Sequence, residues 1–338
     1  MLLLTMHLPR LYSDLPVNEA GARQHCSQML ALLRDVERNC VLLVDEGNIM
    51  TGEMFAGAHK WPQKYRKKGQ ELLRELGNRR RMVKVGNDAT MEVACSAPGC
   101  QHAVGILNVE TPDVLVGPEG CQQCASFAES GVAVTGISDY QLSSFADLRR
   151  ETETIALTDG EWGRVEFEQR VWQPLFRYAK DVKIFDRYIG RHLQRERGGG
   201  FYPQLKPEYS RSLEWIFGQF AALSEGRATR VFEITCGLEE DRLSPEDMVG
   251  AAEVLRSFAR MLSEKYGLHM AMNVKVERHD AKMPHARCII TDQLALSVER
   301  GFDLLRRDGR IRDVVVGLLP NRGEIERQAR TLPDVPSA

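Results

Sequence analysis

Short apolar segments alternate with segments of helical periodicity along the chain, and this alternation restricts the possible folds more than any other feature. The clearest apolar segment, Cys40–Asp45, reads Cys-Val-Leu-Leu-Val-Asp. Apolar residues recur at helical spacing before it, over residues 19–38. Strands that alternate with helices form α/β folds with buried strands. The 338 residues are enough for two α/β domains, which we predict at residues 1–150 and 151–325.

The charge balance limits the partners that the chain can have. Lys and Arg number 45 against 47 Asp and Glu, for a net charge of −2, so a nucleic-acid partner is expected only at a local basic patch. The first residues lack the basic segment of a signal peptide. No apolar run approaches the ~20 residues of a membrane span. We therefore predict a cytoplasmic protein without a membrane span.

One basic segment in the first half extends over a predicted helix, Lys64–Leu76, and the start of a predicted strand, Met82–Val85. Its cations are dense enough to follow a nucleic-acid backbone. The same density is typical of a solvated helix face with a basic end. Both interpretations apply to these residues, which are Lys64, Arg66, Lys67, Lys68, Arg79, Arg80 and Arg81.

Acidic residues follow the predicted strands of the first half. Asp45 ends a strand, Glu53 comes eight residues later, and Asp139 follows the apolar run Val132–Val134. This pattern resembles PIN-like nucleases over about residues 38–145. The resemblance implies that Asp45 and Asp139 bind Mg²⁺ or Mn²⁺ and that Glu53 and Glu119 complete the acidic cluster. An Asp at the end of a strand is equally typical of a turn cap.

Two cysteine pairs, Cys95-x₄-Cys100 and Cys121-x₂-Cys124, lie about 20 residues apart. Their spacing predicts a structural zinc ribbon inserted at about residues 95–124, with strands at Ala103–Leu107 and Val114–Val116. Buried free thiols are the alternative. The second pair also occupies the place where PIN-like domains carry Asp residues, so this sequence departs from that family there.

A different motif marks the second half, His285-x-Arg287-x₄-Asp292. It resembles the His-x-Lys-x₄-Asp motif of phospholipase D-like phosphodiesterases. Together with the segments at 182–189 and 300–304, it resembles the phospholipase D-like domain that follows MIT domains, over about residues 165–320. The resemblance implies that His285 attacks phosphorus, Arg287 holds phosphate oxygens and Asp292 orients a His.

Three further arginines are predicted ligand-binding residues, because two follow a predicted strand and one lies in the matched segments: Arg187, Arg191 and Arg300. Phospholipase D chemistry needs two His motifs, and the chain carries one. A homodimer that pairs two copies of His285, recruitment of His192 or His279, and absence of catalysis are the three solutions.

These patterns predict a nuclease that cleaves RNA or DNA, and the pairing of two nuclease-like modules suggests an effector of a prokaryotic conflict or defence system. The metal-dependent form uses Asp45, Glu53 and Asp139. The metal-independent form uses His285 and Arg287. The alternative is a non-enzymatic sensor or adaptor whose C-terminal domain binds a phosphate-bearing ligand, a lipid head group or a protein partner.

Overall fold

A computed structural model describes residues 4–8, 15–87, 100–117, 121–195, 199–223, 230–320 and 322–337. The chain divides into two compact units, Leu2–Glu153 and Thr154–Ala338, close to the predicted boundary at residue 150. Both units are α/β. Among the described residues, no helix combines the length and the apolar character that crossing a membrane requires.

The N-terminal unit is built on a parallel sheet. Within its described residues the sheet has five strands in the order β3-β2-β1-β4-β5. The strands are β1 Leu4–His7, β2 Cys40–Asp45, β3 Met82–Val85, β4 Val114–Val116 and β5 Ala133–Thr135. The helices are α1 Glu19–Asn39, α2 Ile49–His59, α3 Gln63–Asn78, α4 Cys100–Val109, α5 Gln122–Ser126 and α6 Ser144–Glu153. The predicted helix at 64–76 and strand Met82–Val85 are therefore confirmed.

The first strand of the chain, β1, is not among the strands that the sequence predicted. It lies between β2 and β4 at the centre of the sheet. Its two polar side chains are buried, and each has a hydrogen-bonding partner, but among the described residues Nε2 of His7 has none. The N–H of Thr5 donates to Asp113 at 2.8 Å, and Nδ1 of His7 lies 3.1 Å from the carbonyl oxygen of Leu43. These partners let a short strand with two polar residues occupy a central position.

The predicted strands of the zinc ribbon are a second correction. Ala103–Leu107 lies inside helix α4, where Ala103, Val104 and Ile106 are buried. Val114–Val116 is a strand, but it is β4, which pairs with β1 and β5 in the parallel sheet. A short apolar run fits a buried helix as well as a strand, so periodicity did not separate the two.

The C-terminal unit is built on a mixed sheet. Its described residues form seven strands in the order β6-β12-β11-β10-β7-β8-β9, and only β7, β8 and β9 run parallel to their neighbours in that group. The strands are β6 Thr154–Leu157, β7 Asp181–Phe185, β8 Val231–Glu239, β9 Met270–Glu277, β10 Cys288–Thr291, β11 Ala295–Val298 and β12 Val314–Leu318. The helices are α7 Arg164–Phe167, α8 Gln173–Phe176, α9 Arg187–Arg191, α10 Pro207–Ala222, α11 Pro245–Tyr266 and α12 Arg322–Thr331.

Aromatic residues pack against one another in the core of the C-terminal unit. A π-helical turn, Glu168–Trp172, joins α7 to α8 and places Trp172 against Trp215 of α10, with ring centroids 5.9 Å apart. Trp172 also stacks on Phe176 at 5.7 Å. Aromatic pairs at such distances add to the free energy gained by burial.

The residues after α12 cover the edge strand β9. The N–H of Val276 donates to the carbonyl of Pro333 at 2.8 Å, and the N–H of Val335 donates to the carbonyl of Val274 at 2.8 Å. Val335 is 1% exposed. Burial of that side chain and two backbone hydrogen bonds hold the segment in place.

Candidate ligand-binding site

Asp45 ends β2 at the edge of the sheet where the carboxyl ends of the parallel strands meet. Its side chain is almost completely buried. One carboxylate oxygen accepts a hydrogen bond from the N–H of Ile49 at 2.9 Å, and the other accepts from the N–H of Met50 at 2.7 Å. Because these amides have no partner inside α2, Asp45 caps the start of that helix.

The other predicted acids that the structure describes lie on different elements from Asp45. Glu53 is half-buried on α2, and Asp139 is exposed four residues after β5. Glu119 lies outside the described residues. Among the residues that the structure describes, no group of three or more His, Cys, Asp or Glu side chains could hold a metal ion. Binding of Mg²⁺ or Mn²⁺ by Asp45 and Asp139 stays a prediction.

The predicted zinc ligands are only partly described. Cys95 lies outside the described residues, and of Cys100 the structure describes only the backbone, at the start of α4. Cys121 is half-buried and Cys124 is buried, at the start of α5. The described cysteines place one of the two predicted pairs on a helix start, and zinc binding by all four stays a prediction.

In the C-terminal unit, Arg187 follows β7 and is 1% exposed. Its Nη2 donates to Glu277 at 2.7 Å and lies 3.5 Å from Glu239. These two glutamates end β9 and β8 and face each other across the parallel pair. Arg191, one turn later on α9, also pairs with Glu239. Two of the predicted ligand-binding arginines are thus engaged with buried carboxylates, as buried charges require.

Two glycines allow this arrangement. A Cβ atom on Gly190 of α9 would overlap with the backbone carbonyl of Gly237 in β8. A Cβ atom on Gly237 would lie 2.7 Å from Cδ of Glu277, closer than real Cβ atoms come. Glycine at both positions lets α9 lie directly on β8 and lets the Glu277 side chain lie across that strand.

Asp186 joins the end of β7 to a later turn. It is completely buried, and its carboxylate accepts hydrogen bonds from the N–H groups of Tyr188, at 2.9 Å, and Phe302, at 3.3 Å. Burial raises the pKa of the Asp186 carboxyl to about 6, although both hydrogen bonds and the nearby Arg287 act in the opposite direction.

Arg287, the predicted phosphate ligand, holds the same turn from the other side. Its guanidinium lies 4.1 Å from the ring centroid of Tyr188, which is a cation–π distance. Its Nη1 donates to the carbonyl oxygens of Glu299, at 3.0 Å, and Arg300. One nitrogen of Arg287 is therefore occupied by the backbone, and the side chain is half-buried.

Strand β10 lies between the two ends of the predicted motif, so that His285 and Asp292 are on opposite sides of it. His285 is exposed before β10, and its Nε2 lies 3.2 Å from Nη1 of Arg187. Asp292 follows the other end of β10, and its Oδ1 accepts from the N–H of Lys180 at 3.0 Å, beside the start of β7. The four residues of β10 extend over about 13 Å. The structure thus brings His285 to Arg187 and not to Asp292.

The two histidines that could assist His285 have different settings. His192 is half-buried, with Nδ1 2.9 Å from Nζ of Lys206 and its ring against Tyr209. Burial, and next the charge of Lys206, lower the pKa of His192. His279 is exposed. A neutral, half-buried His192 could accept a proton.

A cavity of about 460 Å³ opens in the C-terminal unit, and we call it the arginine cavity. All the lining residues carry charged side chains. Its cations come mainly from the turn between β11 and β12, and its acids come from that turn, from the turn after β6 and from the start of α10. The lining consists of Arg300, Arg306, Arg307, Arg312, Asp159, Glu208, Asp308 and Asp313.

Ion pairs of the described residues leave one of the lining arginines without a partner. Arg300 pairs with Asp313, and Arg306 pairs with Asp159. Arg312 lies 3.3 Å from Asp303, just outside the lining. Among the described residues, Arg307 forms no hydrogen bond or ion pair, and its side chain is exposed. Each paired guanidinium also keeps donors, since it has five N–H groups and each pair uses few of them.

Sequence reasoning found Arg300 and missed the other lining arginines. The available signal was the segment Arg306-Arg307-Asp308-Gly309-Arg310-Ile311-Arg312, in which four arginines surround an Asp-Gly turn. Gly309 adopts a φ of +82°, as such a turn requires. Several arginines around a tight turn show that the turn is cationic. Whether they line a cavity depends on the neighbouring elements, which this segment of sequence does not reveal.

No protein family matches the sequence, and a search of curated proteins gives no significant relative.

Proposed function

We propose that the C-terminal unit binds a phosphate-bearing small molecule in the arginine cavity. The observation that supports this proposal is the concentration of four arginines on one cavity, of which Arg307 has no partner among the described residues. Guanidinium groups match phosphate oxygens in geometry and remain charged at any physiological pH. A volume of about 460 Å³ lies in the range of small-molecule sites.

The lining also bears on the kind of ligand. Each lining residue carries a charged side chain, so the cavity suits polar and anionic ligand groups better than an acyl chain. The carboxylates of Glu208 and Asp308 accept hydrogen bonds and would suit ligand hydroxyl groups. This chemistry favours the binding alternative of a sensor or adaptor, with a free phosphorylated molecule or a lipid head group as the source.

Calorimetric titration of the full chain with pyrophosphate, and co-sedimentation with vesicles that contain phosphorylated inositol lipids, test the proposal. Arg307→Gln should weaken binding about tenfold or more, because it removes a charge-assisted hydrogen bond. Arg310→Gln is the matched control, since Arg310 is exposed in the same turn and does not line the cavity. Equal loss in both variants, or no binding of either probe, would contradict the proposal.

A nuclease is the second candidate, and one observation favours it. In the strand order β3-β2-β1-β4-β5, the chain changes the side on which it adds strands between β1 and β4, and Asp45 lies at the carboxyl end of β2, the neighbour of β1. Ligands of α/β sheets bind at such reversals. A metal-dependent form needs ligands beyond the described acids, and Glu119 is the predicted one.

Cleavage of labelled RNA and DNA with Mn²⁺ and with EDTA tests this candidate. Asp45→Asn alone is ambiguous, because it also removes a helix cap. Asp139→Asn is the informative variant, since Asp139 is exposed and its loss should leave stability unchanged. Mn²⁺-dependent cleavage that both variants lose supports the candidate, and cleavage that Asp139→Asn retains counts against it.

A metal-independent phosphodiesterase remains a third possibility to test, because His285 is exposed beside Arg187. Cleavage in EDTA that His285→Ala abolishes would support it. The homodimer that pairs two His285, a protein partner and a role in a defence system stay predictions, as does the cytoplasmic location.

A further inference from the structure

The corner between α2 and α3 carries several cations with no acidic residue among them. Residues 59–68 read His-Lys-Trp-Pro-Gln-Lys-Tyr-Arg-Lys-Lys, with five Lys or Arg and no acid. The side chains of Lys60, Lys64, Lys67 and Lys68 are exposed, and we call this set the lysine face. Within the described residues, Lys60, Lys64 and Lys68 form no ion pair, and Lys67 lies 3.9 Å from Glu71.

The backbone beneath the lysine face is firmly packed. Trp61 is completely buried, and a Cβ atom on Gly69 of α3 would lie 2.6 Å from its ring. The carbonyl of Trp61 accepts a hydrogen bond from Nε of Arg66 at 3.2 Å. Leu73 and Leu76 bury the opposite side of α3. The lysines therefore project from a fixed corner, which limits the entropy lost when a partner binds.

Stability of the helix does not explain these lysines. Helix α3 has no acidic residue in its first turn and no side chain that caps its N-terminus. The N-terminal end of a helix carries partial positive charge, so Lys64 in the first turn is unfavourable for folding. The lysine face adds to that positive potential instead of compensating it. A partner with dense negative charge would remove this repulsion.

Two basic residues after α3 have partners within the unit. Arg79 is exposed and pairs with Glu37 at 2.7 Å. Arg81 is buried, and its Nη1 donates to the carbonyl of Cys40 at 2.9 Å. Arg79 and Arg81 therefore differ from Lys60, Lys64 and Lys68, which form no ion pair within the described residues.

We propose that the lysine face binds the phosphate backbone of a nucleic acid. Lysines that contact phosphates bind without sequence selectivity. This mode of binding suits a set of flexible ammonium groups at the corner between two helices. An anionic membrane would also attract lysines, but membrane-surface helices bury large apolar side chains beside them. Among the described residues between 56 and 78, no large apolar side chain is exposed. The proposal is independent of the arginine cavity and of cleavage.

Fluorescence anisotropy of a labelled single-stranded RNA of about 20 nucleotides, in EDTA and over a range of salt concentrations, tests it. The triple variant Lys60→Gln, Lys64→Gln, Lys68→Gln should reduce the slope of log affinity against log salt by about 2. The control variant Arg23→Gln, Arg34→Gln, Lys84→Gln removes the same charge from exposed positions of the same unit and should keep the slope.

A second readout separates binding from folding. Lys64→Glu should raise the Tm by about 1–3 °C, because it places an acid in the first turn of α3, while it weakens RNA binding. If the triple and control variants lose the same RNA affinity, the net charge of the unit explains binding and the proposal is overturned. Binding of anionic vesicles without RNA binding, or no RNA binding by the native chain, would overturn it too.

Discussion

At the scale of single residues, Asp186 has the most consequential environment. Its carboxylate is completely buried and accepts hydrogen bonds from Tyr188 and Phe302, so it holds the start of α9 to the turn after β11. Burial nevertheless raises its pKa to about 6, from 3.8 for the exposed group. The folded chain therefore holds this proton more tightly than the unfolded chain does, which makes folding more favourable at low pH.

We predict that Asp186→Asn removes a pH-dependent component of stability. Stability from the neutral carboxyl is present below about pH 4 and is lost as the pH rises through 6, with a total of about 3 kcal/mol. Urea unfolding at pH 4, 5, 6 and 7 should show this fall in the native chain relative to the variant. Parallel curves for the two proteins would show that Asp186 does not titrate as described.

The sequence identifies the residues of a motif more readily than the contacts that they make. His285 and Arg287 lie at one edge of the sheet, as the motif implies, but Asp292 lies at the opposite end of β10. Arg187 was predicted to bind ligand; its Nη2 donates to Glu277, and ligand binding by Arg187 stays a prediction. The spacing of residues along one strand does not show which residues of other strands lie beside each of its ends. Those partners were fixed by β8 and β9, far away in the sequence.

At the scale of elements, the contact of α9 with β8 determines the geometry around the buried arginine. Gly190 and Gly237 meet with no room for a Cβ atom on the helix side. The close approach lets Arg187 reach the glutamates at the ends of β8 and β9. A larger residue at the contact would move the helix away and stretch these ion pairs.

We predict that Gly190→Ala destabilises the C-terminal unit by about 2–4 kcal/mol, because its Cβ would meet rigid backbone and would weaken a buried ion pair. Thermal unfolding followed by near-UV circular dichroism would measure the loss. Gly323→Ala is the control, since nothing lies within 4 Å of a Cβ atom built there. Similar small shifts for both variants would contradict the close contact.

Long periodic elements were predictable from the sequence, and short ones were not. The apolar residues of α1 and α3 recur over several turns, which indicates a helix regardless of context. The strand β1 has four residues, and two of them are polar. Its identity depends on Asp113 and on neighbouring strands. The arginine cavity was equally hidden, since residues from three separate elements line it.

At the scale of the whole molecule, the two units have buried groups that titrate in opposite senses. His7, in the N-terminal unit, is completely buried, and burial lowers its pKa from 6.5 to about 4. Stability from its neutral form is present above pH 6.5 and is lost as the pH falls toward 4. Asp186, in the C-terminal unit, has the reverse dependence. Each effect is about 3 kcal/mol in size.

We predict that a change from pH 7 to pH 5 weakens the N-terminal unit and strengthens the C-terminal unit. Hydrogen exchange measured by mass spectrometry, corrected for intrinsic rates, assigns protection to peptides of each unit. His7→Gln should abolish the loss in residues 15–87 only, and Asp186→Asn should abolish the gain in residues 230–320 only. A change of the same sign in both units would refute the assignment.

The segment at residues 333–335 acts as a cover for the outer edge of the mixed sheet. It occupies the hydrogen-bonding groups of Val274 and Val276 that β9 would otherwise present to solvent. An uncovered edge strand pairs readily with the same strand of another copy. A chain shortened to residue 331 would therefore expose a template for self-association, and its first sign would be aggregation at high concentration before any loss of secondary structure.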